Sequence, residues 1–100
     1  MTVVEQVERI RIAAEEELDR SRGMLENAGM TWSKPELVVL EPVASEYTAE
    51  LKVHFYAGDD LVDIFEFFVC RGGVLTTSEG EVRKWIHDNV PDVVRRYTQA

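Results

Sequence analysis

The chain has 100 residues, 45% of them hydrophobic and 30% charged, with a formal net charge of −8. That length makes one domain over residues 1–100, which buries roughly two-thirds of its unfolded surface, and the composition excludes a disordered chain. The single cysteine, Cys70, excludes an internal disulfide and a cysteine-based zinc cluster.

The opening MTVVEQVERIR lacks the basic region and apolar run of a secretory signal. No stretch reaches the ~20 apolar residues of a membrane span, so the expected location is cytoplasmic. The acidity is concentrated: residues 36–77 hold eight of the acids and two of the bases, while both ends are near neutral. Such a surface repels phosphate backbones and anionic lipid, and favours a basic protein partner. The expected partners are therefore a basic protein or a second copy of the chain, not nucleic acid or membrane.

The first element is a long helix. Val3, Val7, Ile10, Ala14, Leu18, Ser21, Leu25 and Ala28 recur at three- and four-residue steps and fall on one stripe. Thr2 and Glu5 form a capping-box pair, Glu5–Arg9 and Glu16–Arg20 are favourable i,i+4 pairs, and Gly29 suits the C′ position. Gly23 is an alternative stop. An unbroken helix would be about 40 Å long and overhang a domain this size, leaving an apolar stripe for a second subunit.

Strands follow. Leu37–Leu40, closed by Pro42, reads as an edge strand. From Tyr47 to Ala57, Tyr47, Ala49, Leu51, Val53 and Phe55 alternate with Thr48, Glu50, Lys52, His54 and Tyr56. Gly58-Asp59-Asp60 is a turn, Leu61–Arg71 a third strand, Gly72-Gly73 a second turn, and Val74–Thr77 a short fourth strand. A last helix starts at Ser78, with Glu81 three residues on. Its stripe is Val82, Trp85, Ile86, Val90, Val93, Val94 and Tyr97, and Pro91 is expected to kink or split it. The fold class is α+β: a helix, an antiparallel meander of three or four strands, and a helix.

The third strand is apolar on both faces: Leu61, Asp63, Phe65, Phe67 and Val69 alternate with Val62, Ile64, Glu66, Phe68 and Cys70. A half-solvated antiparallel strand is polar on one face. The hairpin register does not remove the problem. A two-residue turn pairs Phe55 with Val62 and His54 with Asp63; a three-residue turn pairs Phe55 with Asp63 and Lys52 with Glu66. Either leaves about four apolar side chains outward. Helices on opposite faces, a sheet that curls so that both faces are partly buried, self-association, or a pocket in a curved sheet would each account for it.

The chemistry-bearing residues are sparse. His54, Asp63 and Cys70 are lone strand residues with no motif around them; they read as two surface polar groups and a small core filler. Whichever of Asp63 and Glu66 points inward is expected to be paired with Lys52 or Arg71. Asp59 and Asp60 belong to a turn and lack the regular oxygen spacing of a calcium loop. Phosphate-binding and nucleophile-elbow motifs are absent. The order helix–three strands–helix is shared with the double-stranded RNA-binding domain, but the second helix there opens with basic residues, and here it opens Ser78-Glu79-Gly80-Glu81. No catalytic, metal or cofactor site is expected.

The first expectation is a non-catalytic binding or regulatory module that engages a basic partner through its sheet, with Glu50, His54, Tyr56, Asp63 and Glu66 as contacts. The alternative is a homodimer with a hydrophobic ligand pocket specified by His54, Tyr56, Glu66, Phe67 and Phe68. The third is a purely structural homodimer.

Overall fold

The computed structural model describes residues 1–99. In chain order the elements are α1 (Val3–Arg20), α2 (Arg22–Asn27), β1 (Met30–Trp32), β2 (Glu36–Glu41), β3 (Thr48–Ala57), β4 (Asp60–Arg71), β5 (Val74–Leu75) and α3 (Glu79–Gln99). This is the expected α+β order.

α1 starts where its cap directs. Thr2 Oγ1 accepts the Glu5 N–H at 3.1 Å and Glu5 reaches back to the Thr2 backbone, completing the capping box. Val7, Ile10, Ala14, Leu18 and Leu25 of the predicted stripe are buried. The helix breaks at Ser21, not at Gly23, which lies inside α2. Ser21 Oγ donates to the Glu17 carbonyl at 3.1 Å, and such a back-bond competes with the helical ladder. Gly29, with φ +76, ends α2 in the left-handed conformation that glycine adopts without strain. At 18 residues α1 is about 27 Å long, and its stripe is filled by its own domain. The overhang expected of an unbroken helix does not arise.

The ion pairs also differ from the i,i+4 expectation. Glu5 serves the cap, Arg11 bridges Glu8 and Glu15 at 2.8 and 2.9 Å, and Arg20 reaches Glu17 at 3.4 Å. Glu16 turns to Arg83 of α3 at 2.7 Å, which helps set α1 beside α3.

β3 is the centre of the sheet, whose order is β1-β3-β4-β5, with β2 also on β3. β1 and β2 pair successive stretches of β3, Trp32 opposite Phe55 and Glu36 opposite Lys52, so they act as two halves of one interrupted strand. Ser33 carries the pairing across the gap: its N–H donates to the His54 carbonyl at 2.8 Å and its Oγ accepts the His54 N–H at 2.9 Å.

The β3–β4 hairpin resolves the register question by using both alternatives. Ala57 opposes Asp60 and Tyr56 opposes Leu61, as a two-residue turn requires. A bulge then takes up Val62, so Phe55 opposes Asp63 and Lys52 opposes Glu66, the register of a three-residue turn. A second shift near Ala49 turns both Val69 and Cys70 inward.

α1 and α3 lie on one face of the sheet. The core joins Val7, Ile10, Ala14 and Leu18 to Val82, Ile86, Val90 and Val93, over Leu51, Val53, Phe55 and Phe65. Trp85 rests on Phe65 and Phe67 at ring-centroid distances of 4.7 and 4.9 Å. It is 38% exposed, and Trp32 is half-buried. α3 runs through Pro91 without splitting. Pro91 is exposed, and buried Val90 and Val93 on either side hold both halves against the core. No helix among the described residues is long and apolar enough to cross a membrane.

Candidate functional site: the open face of the sheet

With both helices on one side, the other face of the sheet is uncovered. Strand alternation decides what stands there. β3 turns Ala49, Leu51, Val53 and Phe55 to the core and leaves Glu50, Lys52, His54 and Tyr56 half-buried on the open side. β4 adds Ile64, Glu66 and Phe68, which oppose His54, Lys52 and Glu50. β2 adds Glu36 and Val38, opposite Lys52 and Glu50.

The face has two halves. Towards the hairpin it is aromatic and apolar: His54 and Tyr56 lie nearly parallel at 6.4 Å, beside Ile64, which is 39% exposed. Towards the other end it is acidic. Lys52 lies 3.9 Å from Glu50 and 3.7 Å from Glu66, and opposes Glu36 in register. One lysine therefore stands among three glutamates. Beyond it the Arg71 guanidinium covers the Phe68 ring at 3.9 Å.

Four of the five expected contact residues, Glu50, His54, Tyr56 and Glu66, are thus brought together. Asp63 is not. The Val62 bulge puts it on the helix-covered face opposite Phe55, where it accepts from Arg96 of α3 at 2.7 Å. Asp63 is the inward carboxylate and it is paired, but with Arg96 rather than Lys52 or Arg71. The expected pocket set divides in the same way: His54, Tyr56, Glu66 and Phe68 are on the open face, whereas Phe67 packs under Trp85 on the other. Glu36, Val38 and Ile64 join the face, with Leu61 and Thr31 opposite Tyr56. The register of β1, β2 and β4 reveals them, and the sequence does not state that register.

The His54–Asp63–Cys70 grouping dissolves in this geometry. His54 opposes Ile64 on the open side, Asp63 faces α3, and Cys70 is fully buried with its thiol donating to the Tyr47 carbonyl at 3.2 Å. Burial pushes the Cys70 thiol above its ordinary value of 9.0, and burial likewise raises Tyr47 above 10.0. Both groups are held neutral. Their contribution to stability is fully present below the ordinary values and is lost as pH rises through the folded ones. From neutral pH upward, denaturant midpoints are therefore expected to be flat to about pH 8.5 and to fall above it. A thiol reagent at pH 8 should modify Cys70 only at the rate of unfolding. Modification as fast as that of free cysteine would show that the side chain is not enclosed. Among the described residues, no three carboxylate, histidine or cysteine side chains are grouped to hold a metal ion.

No family model matches the chain, and neither a curated protein nor a solved structure is significantly similar to it.

Proposed function

We propose that the protein is a small non-catalytic binding or regulatory module that engages a basic protein partner through the open face of its sheet. The observation that carries this reading is the uncovered face itself, with aromatic and apolar side chains at one end and Glu36, Glu50 and Glu66 around a single lysine at the other. Aromatic residues beside a charged zone are what a specific protein interface uses. A lysine or arginine from the partner would find three carboxylates already gathered, and Lys52 neutralises only one of them. With Phe67 and Phe68 on opposite sides of the sheet, the expected pocket residues do not converge on one cavity, which favours a protein surface over an enclosed small ligand.

The test is affinity capture from cells with the wild-type protein and with the double variant Glu50→Lys, Glu66→Lys, quantified by mass spectrometry. A basic protein should be recovered by the wild type and reduced about tenfold by the variant, with recovery falling as salt rises. Equal recovery by both proteins would refute the reading. Light scattering should give the monomer mass of 11.4 kDa at low and high salt. Twice that mass in both would mean that a second copy covers the face.

A further inference from the structure

β4 is the longest strand, and most of its far edge is vacant. β5 pairs only Cys70 and Arg71, and Thr76 adds bonds to the carbonyls of Phe68 and Val69 at 2.7 and 3.1 Å. Among the described residues no strand lies beside Asp60–Phe67 on that side. In an antiparallel ladder alternate residues turn their N–H and C=O groups away from the neighbour. In β4 the even residues do so: the Phe68 carbonyl accepts from Thr76, and the Ile64 N–H donates to the Asp63 carboxylate at 2.8 Å. Glu66, between them, has the same parity.

Two packed helices stand about 8–10 Å apart and strands about 4.8 Å, so a helix pair covers roughly four strands. Along Asp60–Phe67 the sheet is three strands wide. β5 begins the fourth position and then leaves it. α3 forms its roof: Trp85 rests on Phe65 and Phe67 yet remains 38% exposed. A groove of about 310 Å³, lined by Val62, Asp63, Val93, Arg96 and Tyr97, opens between the last turns of α3 and the start of β4.

We infer that this vacant position accepts an extended segment of a partner protein, added as a strand along β4, with an apolar centre and lysine or arginine at both ends. The added strand takes up the free edge amides, and its apolar side chains enter the groove under α3. Its charges follow from the carboxylates at the two ends of the edge. Asp59 and Asp60 stand in the turn at one end, and at the other Glu81 lines a hollow with Trp85, none of the three with an ion-pair partner among the described residues. A second copy does not fit. Antiparallel self-pairing would bring Asp60 of one chain to the Glu81 end of the other, like charge to like. Asp63, held by Arg96 and clipped onto the Ile64 N–H, is an inward charge of the kind that keeps an open edge from indiscriminate pairing. The inference uses a surface separate from that of the function proposed above.

The test uses the intact protein and a displayed library of short peptides. Each has lysine pairs at both ends and a centre in which Val, Ile, Leu or Phe alternates with Thr. Selected peptides are measured by fluorescence anisotropy and mapped by amide NMR. Binding should protect the Ile64 and Glu66 amides. N-methylation of the peptide's edge-facing nitrogens should weaken binding about tenfold or more, as should glutamate in place of the terminal lysines. Asp63→Ala, which releases the clip, should tighten it several-fold. An empty selection, or indifference to N-methylation, overturns the inference. Shifts confined to Glu50, His54 and Tyr56 overturn it while supporting the proposed function. Edge binding that persists in Glu50→Lys, together with equal capture of a partner by that variant, leaves the edge standing and removes the face. Ile64 and Glu66 amides already protected in a peptide-free dimer would make a second copy the occupant and overturn it as well.

Discussion

Replacing Phe55 with alanine is expected to cost about 3–5 kcal/mol, the range for a large aromatic removed from a closed core. Phe55 is fully buried. It meets Phe65 edge-on at 4.6 Å, and Phe65 meets Trp85 edge-on at 4.7 Å, so one ring sequence ties the central strand through β4 to α3. Each such pair adds about 0.5–1.5 kcal/mol beyond the area it buries. Domains of this kind are held by only about 5–15 kcal/mol, so the variant should lose a large fraction of its margin. The comparison is Tyr56→Ala, one residue on and facing the open side, which should cost less than about 1 kcal/mol. Urea midpoints of the two variants measure the difference. Equal losses would mean that the sheet buries both faces, and the open-face reading would fall with the one-sided core.

The helices and β3 were legible because their periods are local. The stripe from Val7 to Leu25 repeats at helical spacing, and Ala49 to Phe55 alternates without interruption. The faces of β4 were not legible, because they depend on a bulge at Val62 and another near Ala49, and nothing in Leu61-Val62-Asp63-Ile64 announces an extra residue. That one insertion decides that Asp63 leaves the acidic face and meets Arg96, a residue 33 positions away. The apolar excess of β4 could be read, but its cause could not. Placing α1 and α3 on the same side is a matter of tertiary packing, which no strand-level pattern contains. The break at Ser21 was displaced for a similar reason. Gly23 has the poorer helix propensity, but the Ser21 side chain has a carbonyl of its own helix within reach.

The second large effect is expected at Gly73, where alanine should cost about 2–4 kcal/mol: roughly 1 for the left-handed backbone and 1–3 for the collision. Gly73 has φ +77, and a Cβ there would lie 2.9 Å from the Ser45 carbonyl oxygen and 3.1 Å from that of Ala44. Those contacts are backbone, so no side chain can swing away. The Gly73 N–H donates to the Tyr47 carbonyl at 2.9 Å, the same oxygen that accepts the Cys70 thiol. Gly72 is the internal control. Its φ is +57, but a Cβ there meets nothing within 4 Å, so Gly72→Ala should cost only the backbone share, about 1 kcal/mol. In a domain of this size 1 kcal/mol moves the midpoint by about 4–8 °C, so thermal unfolding should separate the two variants clearly. Equal midpoints would show that the 43–46 loop is not packed on the β4–β5 turn. The consequence reaches the open face, because this junction holds Ala49 opposite Cys70 across the second bulge. That register sets Glu50 and Phe68 side by side on the open side, so a Gly73→Ala protein that still folds should lose partner capture more than Gly72→Ala does.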